Sequence, residues 1–265
     1  TTLFRSIVPG LMMLIVGAMY WKFTQDCPQG NFKELRAQGI QVGSDKKGGM
    51  AILMHAARNY RVWILFGAYA ACFGIEIFIH NIVAMYYVEH FSFGLKEAGL
   101  AAGIFGLLAL FARALGGIVS DKVAIKKGLD GRTKVLFGMI LMEGLFLILF
   151  SQMNTAVLAI LVMTVFALFT HMACGATYAL VPFIDRDALG GVAGIIGAGG
   201  NVGAVAAGFL LKGMLDIQTC LMALGGLVVI AASFVLMIRF SVEHKQKEQK
   251  LFEDAVLERN NMAQG

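Results

Sequence analysis

The sequence predicts an all-α protein that crosses a membrane several times. Hydrophobic residues make up 58% of the chain and charged residues 15%, and the mean hydropathy is +0.74. Soluble domains have about 45–50% apolar and about 25% charged residues. The apolar residues form blocks of roughly 20, the length that a helix needs to span the hydrocarbon core of a bilayer. Alternating segments of about ten residues, typical of a membrane β-barrel, do not occur in the sequence.

Seven apolar blocks are predicted as transmembrane spans. A polar connection of residues 24–61 separates the first span, within residues 1–23, from six spans within residues 62–240. A charged tail of residues 241–265 follows, compatible with either a solvated helix or disorder. Because the chain starts at Thr1 and not at a methionine, we expect it to be part of a longer protein. The predicted spans are Leu3–Phe23, Val62–Val88, Ala98–Ser120, Val135–Phe150, Ala156–Ile184, Ala188–Leu211 and Thr219–Phe240.

The distribution of lysine and arginine predicts the orientation. Residues 22–61 hold seven of them, the loop 121–134 holds five, and residues 239–265 hold five more. The opposite side has only three: Arg5, Lys96 and Lys212. The positive-inside rule therefore places the long connection and the tail in the cytoplasm. The net charge of +5 follows from this topology and does not indicate nucleic-acid binding. The four scattered cysteines have no metal-ligand spacing, so neither a metal nor a cofactor is predicted.

The loop after the third span contains a family motif. The stretch "GGIVSDKVAIKKG" is similar to the G-x-x-x-D-[RK] loop of the major facilitator superfamily, with Gly117, Asp121 and Lys122 at the motif positions. We expect Gly117 to permit close helix approach and Asp121 to pair with a helix N-terminus. An ordinary basic loop with a chance acid is the alternative. The resemblance implies helices six to twelve of a two-half transporter: the last helix of the first half, the central loop and one complete six-helix half, whose missing N-terminal half is a partner.

Arg113, in "ALFARALGG", lies inside the third predicted span. An arginine at the centre of a helix costs about 2.5–3.5 kcal/mol on insertion scales, so it usually faces a cavity or a partner. It lies seven residues before Ser120, roughly 10 Å from the inner end, and could instead extend its side chain to the interface. We favour binding of an oxyanion, because the planar guanidinium fork matches a planar anion.

The sixth predicted span carries a stripe of small residues, "GGVAGIIGAGGNVGAVAAG". Such a stripe permits close helix packing, and equally the approach of an ion to the backbone, with Asn201 as a hydrogen-bond donor. "GAGGNVG" at Gly197–Gly203 resembles a signature of the nitrate/nitrite porter family. "FARALGG" resembles the eighth helix of this family, and "ACGATYALVPF" and "GIEIFIHN" resemble the tenth and seventh helices of its plant, fungal and cyanobacterial-type branch. The chain departs from the family at Ala114, where a proline is usual.

The resemblance implies roles for individual residues. Arg113 would clamp the substrate together with a second arginine from the missing half. A set of signature residues would line its path: Gly197, Gly199, Gly200, Asn201 and Gly203. Tyr69 and Phe73, one helical turn apart, resemble aromatics that pack around the anion, and the alternative is ordinary core packing.

Intramembrane ionisable residues are candidates for proton coupling. Glu76 lies four residues before His80, on the same helix face, and Glu143 lies within the fourth span. Each carboxyl could instead be a structural hydrogen-bonding group. His171 and His90 are interpreted as structural or interfacial.

The predicted function is proton-coupled transport of nitrate or nitrite by alternating access, in a plasma membrane or bacterial inner membrane. Its partners would be the anion, protons, the lipid bilayer and the missing half. A superfamily transporter of another small anion or organic acid remains the alternative, followed by a seven-helix receptor. Enzyme activity is not expected, because no nucleophile–base constellation, phosphate-binding loop or metal cluster appears in the sequence.

Overall fold

The computed structural model of the chain describes residues 2–27, 30–40, 49–213, 216–251 and 254. The chain divides into two units, residues 1–47 and 48–265. The first unit contains helix α1, Thr2–Phe23, and the short helix α2, Phe32–Ala37. A turn before α2 closes through backbone hydrogen bonds in both directions between Cys27 and Gly30.

The second unit is a bundle of helices. Asn59 begins the second of them, because its side chain accepts a hydrogen bond from the Arg61 backbone N–H at 3.1 Å. The tail is also helical over residues 242–251. The elements are α3 Gly49–Ala57, α4 Tyr60–Tyr69, a π-helical segment Ala70–Gly74, α5 Ile75–Phe91, α6 Leu95–Ser151, α7 Ala156–Leu180, a 3₁₀ turn Val181–Phe183, α8 Leu189–Gly213 and α9 Ile217–Val235.

Five helical stretches of the described chain are long and apolar enough to cross a membrane: Tyr60–Phe91, Leu95–Ser151, Ala156–Phe183, Leu189–Gly213 and Ile217–Val235. The apolar part of α1, Ile7–Phe23, is shorter. The predicted all-α membrane fold is therefore confirmed. The last predicted span reached Phe240, whereas α9 ends five residues earlier at Val235.

Helix α6 joins the third and fourth predicted spans. Its residue Gly128 has φ 57° and ψ −150°, which breaks the 57-residue element into residues 95–127 and 129–151. Only glycine adopts such a conformation without a steric penalty from Cβ. The prediction of a loop over residues 121–134 is therefore wrong, since these residues are helical on both sides of the glycine. The short fourth span, predicted to start at Val135, gains a full turn and more at its N-terminal end.

The tail helix contacts α6 just after the break at Gly128, and the 3₁₀ turn and loop that follow α7. The His244 imidazole Nε2 lies 2.9 Å from the Phe183 carbonyl oxygen. Lys245 pairs with Asp130 at 2.6 Å, and Arg186 pairs with Glu248 through two hydrogen bonds. Of the two alternatives for the tail, the helix is present in the part that the structure describes.

Asp216 caps the N-terminus of α9. Its carboxylate accepts hydrogen bonds from the Thr219 backbone N–H at 2.7 Å and from the Thr219 hydroxyl at 2.6 Å. These two bonds, the hydroxyl first, lower the pKa of Asp216 below its usual value. The charged cap therefore stabilises the fold at neutral pH. This contribution declines as the pH falls below about 4, the usual pKa of an aspartate, and it is lost once the pH has fallen through the lowered pKa of the folded state.

We expect Asp216→Ala to lower the thermal unfolding midpoint at neutral pH, because the exposed α9 amides lose their acceptor. The difference from the unmodified protein should shrink in acid. Asp216→Asn is the matched control, since it retains the cap without the titratable group. Equal midpoints for Asp216→Ala and the unmodified protein at neutral pH would show that the cap does not stabilise α9.

Candidate functional site

Arg113 lies where α6 and α7 cross at backbone contact. A Cβ on Gly175 would collide with the Arg113 carbonyl oxygen, and a Cβ on Gly116 would collide with the Met172 carbonyl oxygen. These two glycines let the helices meet directly. The close approach expected at Gly117 therefore falls one residue earlier, since a Cβ on Gly117 would meet nothing within 4 Å among the described residues.

The Arg113 guanidinium forms an ion pair inside the bundle. Its Nη2 donates to both carboxylate oxygens of Glu76, at 2.6 and 2.7 Å. The carboxylate is buried, with 6% of its side chain exposed, whereas 38% of the Arg113 side chain is exposed. The guanidinium carbon also lies 5.2 Å from the centre of the Phe73 ring, within cation–π range. Arg113 thus reaches a buried acid and an aromatic face instead of extending to the helix end.

Glu76, on α5, is contacted from its own helix and from α7 as well as from α6. Nε2 of His80, one turn further along α5, lies 4.0 Å from Oε1. From α7, Nδ1 of His171 lies 3.3 Å from Oε2, and the Cys174 thiol donates to the same oxygen at 3.5 Å. The expected proximity of Glu76 and His80 is present. We refer to Arg113, Glu76 and His171 together as the charge cluster.

An aromatic group borders the charge cluster. The rings of Tyr69 and Phe73 stack with their centres 5.0 Å apart, and Tyr178 packs edge-on against Tyr69 at 5.1 Å. Tyr69 is buried, while Tyr178 is 41% exposed. The predicted pair therefore lies together beside Arg113. The role of these rings in limiting substrate size stays a prediction.

The glycines of α8 meet α4 and the π-helical segment. A Cβ on Gly199 would collide with the Phe66 carbonyl oxygen. A Cβ on Gly200 would collide with the Phe73 ring, and a Cβ on Gly203 would collide with the Ala70 carbonyl oxygen. Close packing accounts for these three glycines. A Cβ on Gly197 would lie 3.2 Å from the Tyr178 hydroxyl. Asn201 is exposed, and its part in the substrate path stays a prediction.

The comparisons with known proteins identify the family. Residues 64–261, three quarters of the chain, match the Major Facilitator Superfamily. The chain belongs to this superfamily. The prediction from the loop motif is thereby confirmed, and membership makes the protein an integral membrane protein.

The similar proteins within the superfamily are named as nitrate transporters. The chain is 38% identical to "High affinity nitrate transporter 2.5" of Arabidopsis thaliana, over 75% of the chain and 39% of the relative. It is 37% identical to "High-affinity nitrate transporter 2.3" of Oryza sativa subsp. japonica, over 75% of the chain and 38% of the relative. It is 34% identical to "Nitrate/nitrite transporter NrtP" of Picosynechococcus, over 55% of the chain and 27% of the relative. The chain thus spans about two fifths of the length of the first two. The resemblance to the nitrate/nitrite porter family is confirmed, and these transporters agree with the expectation that the chain is not an enzyme.

The superfamily loop motif has a different partner from the one expected. Asp121 was expected to pair with a helix N-terminus, but it pairs with Arg132, which lies beyond the break at Gly128. The Arg132 guanidinium also packs on the Phe183 ring at 4.7 Å. Lys122 is exposed. The motif therefore joins the two parts of α6 across the glycine break.

Glu143, the third proton-coupling candidate, is fully buried. Neither of its carboxyl oxygens has a hydrogen-bond partner in the described part of the chain. An isolated charge at such a place costs far more free energy than a neutral acid. A proton-carrying role for Glu143 stays a prediction.

The interpretation of His171 as merely structural missed its contact with Glu76. A signal was available: His171 lies three residues before Cys174 on the same apolar helix, and both face the acid. Tyr178 was also missed, four residues further along that face. In the residues that the structure describes, no group of three or more His, Cys, Asp or Glu side chains could hold a metal ion.

Proposed function

We propose that the chain is the C-terminal part of a transporter that moves nitrate or nitrite by alternating access, coupled to protons. Its relatives are named as nitrate or nitrate/nitrite transporters, and this similarity supports the substrate class. In this proposal, a missing N-terminal half supplies a second arginine. The long connection and the tail face the cytoplasm, in a plasma membrane or bacterial inner membrane, as the lysine and arginine distribution favours.

The ion pair of Arg113 and Glu76 is the observation that carries the proposal. A carboxylate is a planar anion with two equivalent oxygens, and nitrate and nitrite are planar oxyanions of similar charge. Nη2 of the guanidinium holds both oxygens of the Glu76 carboxylate, at 2.6 and 2.7 Å, and in this proposal it donates to the oxygens of the substrate in the same place. The substantial exposure of the Arg113 side chain leaves it accessible to a competing anion.

The aromatic and glycine-rich elements supply selectivity and movement in this mechanism. The stacked Tyr69 and Phe73 rings border the guanidinium and limit the size of the anion. The close contact of Gly199 and Gly203 with α4 and the π-helical segment keeps α8 as one body with those helices. The six-helix half then rocks against the other half as a unit.

The proposal is tested with the complete transporter in proteoliposomes. We expect labelled nitrate to exchange across the bilayer, nitrite to compete for it, and lactate to have no effect. Exchange of lactate with no response to nitrate would contradict the substrate assignment and support the organic-acid alternative.

Glu76→Gln is expected to separate binding from proton coupling. The amide keeps the size of the side chain but lacks the charge that neutralises Arg113, so nitrate binding should be retained or tightened. The dependence of uptake on external acidity should weaken. Nitrate uptake at several external pH values measures both quantities. Glu89→Gln, an exposed acid at the end of the same helix, is the control. An unchanged pH profile in Glu76→Gln would remove Glu76 from the proton pathway.

A further inference from the structure

The hydrogen bond between His171 and Phe105 fixes the position of one imidazole proton. His171 is fully buried on α7, and its Nε2 lies 2.9 Å from the Phe105 carbonyl oxygen on α6. A carbonyl oxygen can only accept a hydrogen bond, so Nε2 carries the hydrogen. In a neutral imidazole the other nitrogen, Nδ1, is then a bare lone pair.

That bare nitrogen lies close to Glu76. Nδ1 lies 3.3 Å from the Glu76 Oε2, and it has no hydrogen-bond partner of good geometry in the described part of the chain. A lone pair against a carboxylate oxygen is repulsive in a buried site of low dielectric constant. One added proton, on Nδ1 or on Glu76, converts the repulsion into an attraction.

We infer that His171 and Glu76 together hold the transported proton, and that His171 retains this proton when the anion binds to Arg113. This inference rests on the proposed function. Without the proton, Arg113 and Glu76 cancel and the charge cluster is neutral. With it, the cluster carries one positive charge and attracts an anion. An anion that binds Arg113 displaces Glu76, and the displaced acid is stabilised by the proton that it shares with His171.

Other ionisable groups surround the pair. His80 faces Glu76 from its own helix at 4.0 Å, but 42% of its side chain is exposed. The Cys174 thiol on α7 donates to Oε2 and so stabilises the charged acid. Glu143 from α6 and Cys72 from the π-helical segment interact electrostatically with this region. His171 differs from all of these because it is buried and basic, and because its Nε2 already donates a hydrogen bond to the Phe105 carbonyl oxygen.

Reciprocal binding follows from this arrangement. A proton that favours the anion must itself bind more tightly when the anion is present. Addition of nitrate to the purified complete transporter in weakly buffered solution should therefore take up protons and raise the pH. Nitrate binding should tighten as the pH falls.

The test compares His171→Gln with His90→Gln in proteoliposomes. Glutamine retains an N–H for the Phe105 carbonyl but cannot take up a proton. His90 is exposed at the end of α5 and serves as the matched control. We expect uptake driven by a pH gradient to fall by at least about fivefold in His171→Gln, the lower end of usual coupling factors, and its nitrate affinity to lose the dependence on pH that the unmodified protein shows. His90→Gln should behave as the unmodified protein.

Three results would overturn the inference while leaving nitrate transport itself, the core of the proposed function, intact. The first is uptake by His171→Gln with an unchanged pH profile. The second is a pH profile lost in Glu76→Gln alone, which would make Glu76 the only proton site. The third, which needs no variant to fold, is nitrate binding to the unmodified transporter without proton uptake. By contrast, absence of nitrate exchange by the unmodified transporter would refute the proposed function itself.

Discussion

Arg113→Lys is expected to abolish most nitrate uptake by the complete transporter. The lysine keeps the positive charge but loses the planar fork that matches an oxyanion. One charge-assisted hydrogen bond contributes about 1.5–3 kcal/mol, so affinity for nitrate should fall by at least about tenfold. Initial rates of labelled nitrate uptake, at nitrate concentrations above and below half-saturation, separate this loss of binding from slower transport.

Arg239→Lys is the control for this prediction. Arg239 is exposed at the end of the bundle, and its hydrogen bonds with Tyr60 and Arg61 are made by its backbone atoms. The Arg239→Lys variant should take up nitrate as the unmodified protein does. Near-normal nitrate affinity in Arg113→Lys would show that the substrate does not bind the guanidinium.

Gly175→Ala is expected to displace the helix that carries Arg113. The added methyl group would collide with the Arg113 carbonyl oxygen, which is backbone and cannot rotate away. Overpacking of this kind costs about 1–3 kcal/mol. We therefore expect a lower thermal unfolding midpoint and reduced nitrate uptake together, because the shift in α6 moves the guanidinium from Glu76.

Gly138→Ala is the matched control on α6, since a Cβ there would meet nothing within 4 Å in the described chain. It replaces a helical glycine by alanine without a collision, and it should leave the unfolding midpoint unchanged or raise it. If Gly175→Ala matches Gly138→Ala in both stability and uptake, the backbone contact between α6 and α7 does not position Arg113.

The membrane helices and their apolar lengths were largely predictable, because hydropathy over about 20 residues depends on local sequence alone. The break at Gly128 was harder to predict from the sequence. A glycine followed by Asp130 and Arg132 is typical of an ordinary loop, whereas in the structure both sides are helical and Arg132 pairs with Asp121 across the break. The π-helical segment after Tyr69 was not predicted, and α8 packs against it at Ala70 and Phe73.

The members of the charge cluster were easier to predict than their pairing. Arg113 and Glu76 are each unusual within a span, so both were recognised, yet they are 37 residues apart and on different helices. Which charges meet depends on the rotation of each helix. One residue corresponds to about 100° of rotation, and this is why the close approach lies at Gly116 instead of Gly117. The contact of His171 with Glu76 depends on the same rotation, and its spacing to Cys174 was the one sequence signal for it.

A structure of the complete transporter with nitrate bound tests the central claim most directly. That claim is that the substrate replaces Glu76 on the Arg113 guanidinium. We expect nitrate oxygens within hydrogen-bond distance of Arg113, beside the Phe73 ring, and the Glu76 carboxylate withdrawn from its present distances of 2.6 and 2.7 Å and turned towards His171. Nitrate bound elsewhere, with the ion pair of Arg113 and Glu76 intact, would contradict the account.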